Sequence, residues 1–144
     1  MAKVAFVSLF ALLLTAPGCA AFKKSHECGK LAKKVNGFIG ETRRDAPASY
    51  ADPLRAAKES RELAESYRRL SRDLGALGLR SEELVLRVAR YRKLADDAAL
   101  ALDGAAQALE KHDLEQARTR RLDFDRAAKD ESPLVREINA VCSR

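Results

Sequence analysis

Apolar positions along this chain recur three and four residues apart over most of its length, the spacing of a helix face rather than of a strand. From Ser25 to Thr42 they are Cys28, Leu31, Val35, Phe38 with Ile39, and Thr42. A second helix is predicted from Asp52-Pro53, an acceptor side chain at the N-cap followed by a proline whose missing N–H is not needed there. It runs to about Leu77 through Leu63, Tyr67, Leu70, Leu74 and Leu77. Its other face carries oppositely charged pairs four apart, such as Arg55–Glu59 and Lys58–Glu62, the mark of a solvated surface.

Gly78 can end that helix in the left-handed conformation, with Leu79 as the apolar residue that follows. Ser81 is then the expected cap of a third helix, whose first turn, Glu82-Glu83, suits the positive end of the dipole. Leu84, Val88, Tyr91, Ala95, Ala98, Leu102, Ala105 and Leu109 form an unbroken seam of fours and threes. If helical to Lys111, this element is about 45 Å long, and its central alanines imply a close partner helix. Asp113 with Gln116 is a capping-box variant that opens a fourth helix. Its inward set reads Leu114, Ala117, Phe124, Ala128, Val135, Ile138 and Cys142, with Arg121 an awkward member. Ser132-Pro133 is expected to break it, serine serving as a fresh N-cap and proline as the first helical residue.

Two of the three connections are very short, which forces neighbouring helices to run antiparallel. The longest, Arg43 to Asp52, contains Pro47 and reads as a loop. The predicted fold is therefore all-α, an up-down-up-down four-helix bundle over residues 25–144. In it, the start of the first helix and the end of the fourth lie at one end of the bundle.

Residues 1–18 have a different pattern. Lys3 precedes an apolar run from Val4 to Leu14 broken only by Ser8, and Pro17-Gly18 then leads into small residues. A basic start, a short apolar core and a small-residue site make a cleaved secretory signal peptide, and the run is shorter than the roughly 20 residues a spanning helix needs. The ending Thr15-Ala16-Pro17-Gly18-Cys19 resembles the lipobox of bacterial lipoproteins, although Ala16 stands where leucine is usual and Pro17 is an uncommon choice. The resemblance covers this segment alone. It implies that Cys19 is diacylated and becomes the new N-terminus, with residues 19–24 as a lipidated tether. Because Ala20 is not acidic, it further implies the periplasmic side of the outer membrane. The rival outcome is ordinary cleavage after Gly18 or Ala21, giving a soluble periplasmic or secreted protein; cleavage after Ala21 would remove Cys19.

Export changes the reading of the three cysteines. In an oxidising compartment, Cys28 and Cys142, brought to one end of the bundle, are expected to pair. Cys19 then belongs to the anchor, which accounts for the odd count.

Charge narrows the partners. The chain holds 27 Lys+Arg against 21 Asp+Glu, one of the cations (Lys3) lying in the leader. Both signs are interspersed along the helices, so the excess favours acidic partners only weakly, and an exported protein rarely meets nucleic acid. Lys23, Lys24, Lys30, Lys33 and Lys34 make the start of the first helix the most basic stretch. It reads as a solvated face, with attraction to anionic headgroups as the functional alternative. Arg118 to Arg121 reads as the wet side of a helix.

No chemical constellation emerges. The sequence has no C-x-x-C-H for covalent haem, and Met1, lost with the leader, is the single methionine. Neither His26 nor His112 has the glutamate three residues earlier that di-metal bundles use. Asp96-Asp97 and the pair Asp123 and Asp125 fall on solvated surfaces. Catalytic, cofactor and metal residues are therefore expected to be none. The expectation is a non-enzymatic, lipid-anchored cell-envelope bundle acting as a structural or protein-interaction module. It would be tied to the membrane through its anchor, have an envelope protein as partner, and be able to self-associate through the long third helix. The alternative is a periplasmic carrier of a small apolar ligand held between helices, in room left by Gly37, Gly40, Ala95, Ala98 and Ala105.

Overall fold

Helical propensity and the four-three pattern are realised in five helices: α1 Cys19–Thr42, α2 Pro53–Gly75, α3 Glu82–Glu110, α4 Leu114–Lys129 and α5 Glu131–Cys142. The computed structural model describes residues 19–42 and 52–144, with side chains from Lys24 onward. The signal peptide expected at 1–18 and the loop expected up to residue 51 lie outside the described residues, as does the side chain of Cys19. Among the described residues there is no strand, and the architecture is an all-α bundle.

The central element is α3, about 43 Å long. Every member of its expected seam is buried, and so are Leu94, Ala99, Ala101, Ala106 and Ala108. A helix buried on more than one stripe has neighbours on several sides: α2 packs along one flank and α4 with α5 along another. The seam that would pair two copies is thus filled within one chain. At the end where α3 meets α4, Ala56, Ala57, Ala106, Ala108, Leu109 and Ala117 form a small cluster of their own. The main core unites Leu31, Val35 and Phe38 of α1 with Leu63, Tyr67, Leu70 and Leu74 of α2, with α3, and with Phe124, Leu134, Ile138 and Val141. Phe38, Tyr67 and Phe124 stack edge to face in sequence, with centroids 4.8 and 5.9 Å apart.

Several boundaries differ from expectation. Helix α1 begins at Cys19 rather than Ser25, so residues 19–24 continue the helix. Helix α2 ends at Gly75; Leu77 lies in the turn yet still packs on the core. Gly78 has the expected positive φ, +62°. The expected fourth helix is two, because the break falls at Asp130 rather than at Ser132. Pro133 sits in the first turn of α5, where its lack of an N–H leaves no helical bond unmade. Leu114 is corrected from an inward to an exposed position (47%) because it is the first residue of α4, where no neighbouring helix covers it. Arg121 stays at the edge, its guanidinium 5.2 Å over the Phe124 ring and bonded to Asp125.

Candidate functional site

The end of the bundle where α1 and α5 meet concentrates the features that matter. Cys28 and Cys142, the last residue of α5, are joined as a disulfide with Cα atoms 5.8 Å apart and a sequence separation of 114. By chain entropy, a link closing so long a loop is worth up to about 4–5 kcal/mol. From this joint, α1 continues about 13 Å further to Cys19, so the expected lipidation position lies at the same end as the disulfide.

One residue from the joint, Glu27 is buried against the start of α3. Its carboxylate accepts hydrogen bonds from the backbone N–H groups of Arg80 (3.0 Å) and Ser81 (3.1 Å). Ser81 occupies the N-cap position expected for it but makes no side-chain cap bond; Glu27 supplies the acceptor in its place. A carboxylate there also meets the positive end of the α3 dipole. Glu83, in the first turn of α3, draws Lys24 of α1 and Arg144 after α5 to 3.9 and 3.8 Å. No local signal in the sequence announces Glu27, since its partners lie more than fifty residues away.

Beside the disulfide, α1 and α5 diverge and leave a groove of about 450 Å³, within the usual range for ligand sites. It is lined by Leu31, Ala32, Val35, Ile39, Val135 and Ile138, with Asn36, Asn139 and the two disulfide cysteines. No lining residue is charged, in a chain of which 33% is charged. Three further grooves are each lined by charge. One of about 440 Å³ between α3 and the α4–α5 joint has Arg90, Lys93, Asp97 and Asp130. One of about 240 Å³ between α1 and α2 has Lys33, Lys34, Glu41, Arg69 and Asp73, and one of about 220 Å³ between α2 and α3 has Arg92.

The structure relocates the room that the sequence placed among the alanines. Ala95, Ala98 and Ala105 are at most 3% exposed and line none of these grooves. Gly37 borders the charged α1–α2 groove, and Gly40 faces open space. The uncharged groove has no local signal, since Gly29, Ala32 and Asn36 meet Val135 and Asn139 only in the folded bundle.

Elsewhere the ionisable groups serve the scaffold. His26 and His112 are exposed, His112 holding a left-handed φ of 58° in the α3–α4 turn. Asp97 pairs with Lys93, and Asp123 with Arg120 and Arg126. Arg61 grips Glu110 through two bonds and Arg68 meets Asp103, tying α2 to α3. The pairing with Arg61 holds the Glu110 carboxyl below its ordinary range. Tyr91, fully buried, donates to Glu131 at 2.5 Å; burial and that bond push its phenol far up, and burial does the same to Tyr67. Among the described residues no group of three or more His, Cys, Asp or Glu side chains is placed to hold a metal ion, and no helix is long and apolar enough to cross a membrane.

Comparison with protein-family models, with curated proteins and with solved structures finds no match for this chain.

Proposed function

We propose that this is a non-enzymatic, lipid-anchored cell-envelope protein whose helical bundle acts as a structural or protein-interaction module. In this reading residues 1–18 direct export, Cys19 carries the lipid, and the bundle stands on the periplasmic side of the outer membrane. The observation that carries it is the Cys28–Cys142 disulfide. A structural bridge of this kind is stable outside the reducing cytosol, which agrees with a leader that ends in a lipobox-like sequence. The bridge also fixes α1 to the body a few turns from Cys19, so a pull on the tether is borne by covalent bonds rather than by the side-chain seam of α1. In-cell crosslinking followed by membrane fractionation tests the reading. It predicts recovery with the outer membrane, linked to an envelope protein; a soluble cytoplasmic monomer linked to nothing would contradict it.

A second reading, a periplasmic carrier of a small apolar ligand, is favoured by the uncharged α1–α5 groove. A solvent-open surface of aliphatic side chains is retained there while the other grooves are charged.

A further inference from the structure

Helix α1 is attached to the rest of the bundle differently from the other helices. Residues 76–81 join α2 to α3, 111–113 join α3 to α4, and Asp130 alone separates α4 from α5, whereas residues 43–52 join α1 to α2. Open grooves run along both flanks of α1, the charged one against α2 and the neutral one against α5. Among the described side chains, it gives the main core Leu31, Val35 and Phe38 as buried residues. Its polar ties are the exposed pair Lys34–Asp73, the longer pair Lys24–Glu83 and the two bonds that Glu27 accepts. An element with few buried contacts opens as a unit of its own, ahead of the rest of the fold. The Cys28–Cys142 bridge prevents this by fixing α1 to the end of α5. Both cysteines are half-buried and line the solvent-open neutral groove, so the bridge borders a space that a thiolate can enter. Accessible disulfides are the ones that exchange readily.

We propose that α1 is a releasable arm and the disulfide its latch: a dithiol reductant opens the bridge from the α1–α5 groove, and α1 leaves the body as one unit while α2 to α5 stay folded. In the chemical step one thiolate of the reductant attacks one of the two Sγ atoms, and the S–S electron pair leaves on the other. The reductant's second thiol resolves the mixed disulfide, so the reductant ends as a disulfide and Cys28 and Cys142 end as protonated thiols. What release does for the protein rests on the lipid-anchored reading. With the bridge closed, the joint is held about 13 Å from Cys19. With it open, α1, about 36 Å long as a helix, and residues 43–52, at most about 35 Å, lie between Cys19 and Pro53. A pull on the tether then peels α1 from its Cys28 end instead of loading α5, and the reach from anchor to body grows to roughly 70 Å.

The test uses the chain from residue 19 onward carrying Cys19→Ser, first with the bridge closed and then with it opened by dithiothreitol in the absence of denaturant. On opening, amide exchange at Leu31, Val35 and Phe38 should quicken together by roughly thirtyfold or more, the scale of a bridge that closes a long loop. The three should converge on one opening constant, ahead of that at Tyr91 and Ala98. Cys28→Ser/Cys142→Ser should match the opened chain, and Val35→Ala should quicken α1 in it by about tenfold more. Pulled from handles at its two ends, the opened chain should yield in two steps, the first freeing residues 28–52, roughly 85 Å of chain, at the lower force. The closed chain should lack that step. A bridge that dithiothreitol opens only once the chain is unfolded would overturn the proposal. So would unchanged exchange in α1, one opening constant shared by Leu31 and Tyr91 in the opened chain, or a single unfolding step under load. None of these outcomes touches the lipid-anchored reading, which fails separately if the protein is absent from the membranes of its host.

Discussion

The buried carboxylate of Glu27, on the first helix, accepts the backbone N–H of Ser81 at the start of the third. A residue on α1 therefore completes the N-terminus of the helix on which the bundle is built. Glu27→Ala removes that acceptor together with the bond from Arg80 and should lower the unfolding free energy by about 1–2 kcal/mol. Ser81→Ala, whose hydroxyl makes no cap bond, should change it by less than about 0.5 kcal/mol. Urea denaturation of the two variants decides which residue is the functional cap.

The disulfide and the α1 seam carry separable shares of stability. Cys28→Ser/Cys142→Ser should cost about 2–4 kcal/mol. Among the described side chains, α1 gives the main core three buried residues, Leu31, Val35 and Phe38, so the loss should appear first there. Amide exchange at Leu31 and Val35 should quicken well before exchange at Tyr91 and Ala98.

Tyr67 and Tyr91 set the alkaline limit. Both phenols have pKa values raised in the folded state, by burial first of all. Their contribution is whole below the unfolded tyrosine pKa of about 10. It falls as pH rises beyond that, because the unfolded chain releases protons that the folded one retains. Ultraviolet titration should show these two tyrosines ionising together with loss of helicity, and Tyr67→Phe should move the unfolding to higher pH. Titration of both phenols in a chain that stays folded would contradict their burial.

The turn after α3 holds its own strain. His112 takes a left-handed φ while Asp113 N–H reaches the Ala108 carbonyl, the closing bond of a Schellman motif whose usual residue is glycine. His112→Gly should raise stability by up to about 1 kcal/mol, read as a higher thermal midpoint.

Most of the architecture could be read from periodicity, because the seam from Leu84 to Leu109 is long and uninterrupted and one register serves all of it. The Asp52 and Asp113 caps were equally plain, since each acts within three residues of itself. The last helices were harder. At Asp130 the pattern restarts in a new phase, so Leu134 and Val141, both deeply buried, fell outside the inward set while exposed Leu114 was counted in it. The disulfide followed from topology plus compartment, neither of which is local. Glu27 and the neutral groove were out of reach for the same reason: each is made by segments distant in sequence, and only the fold brings them together.

The exported, lipid-anchored state is tested most directly by the intact mass of the protein recovered from its host membranes, measured before and after alkylation without reductant. The account predicts a chain that begins at Cys19, carries added acyl mass on that residue, and gains no label at Cys28 or Cys142. A chain retaining residues 1–18, or one beginning at Phe22, with both thiols open to alkylation, would contradict it.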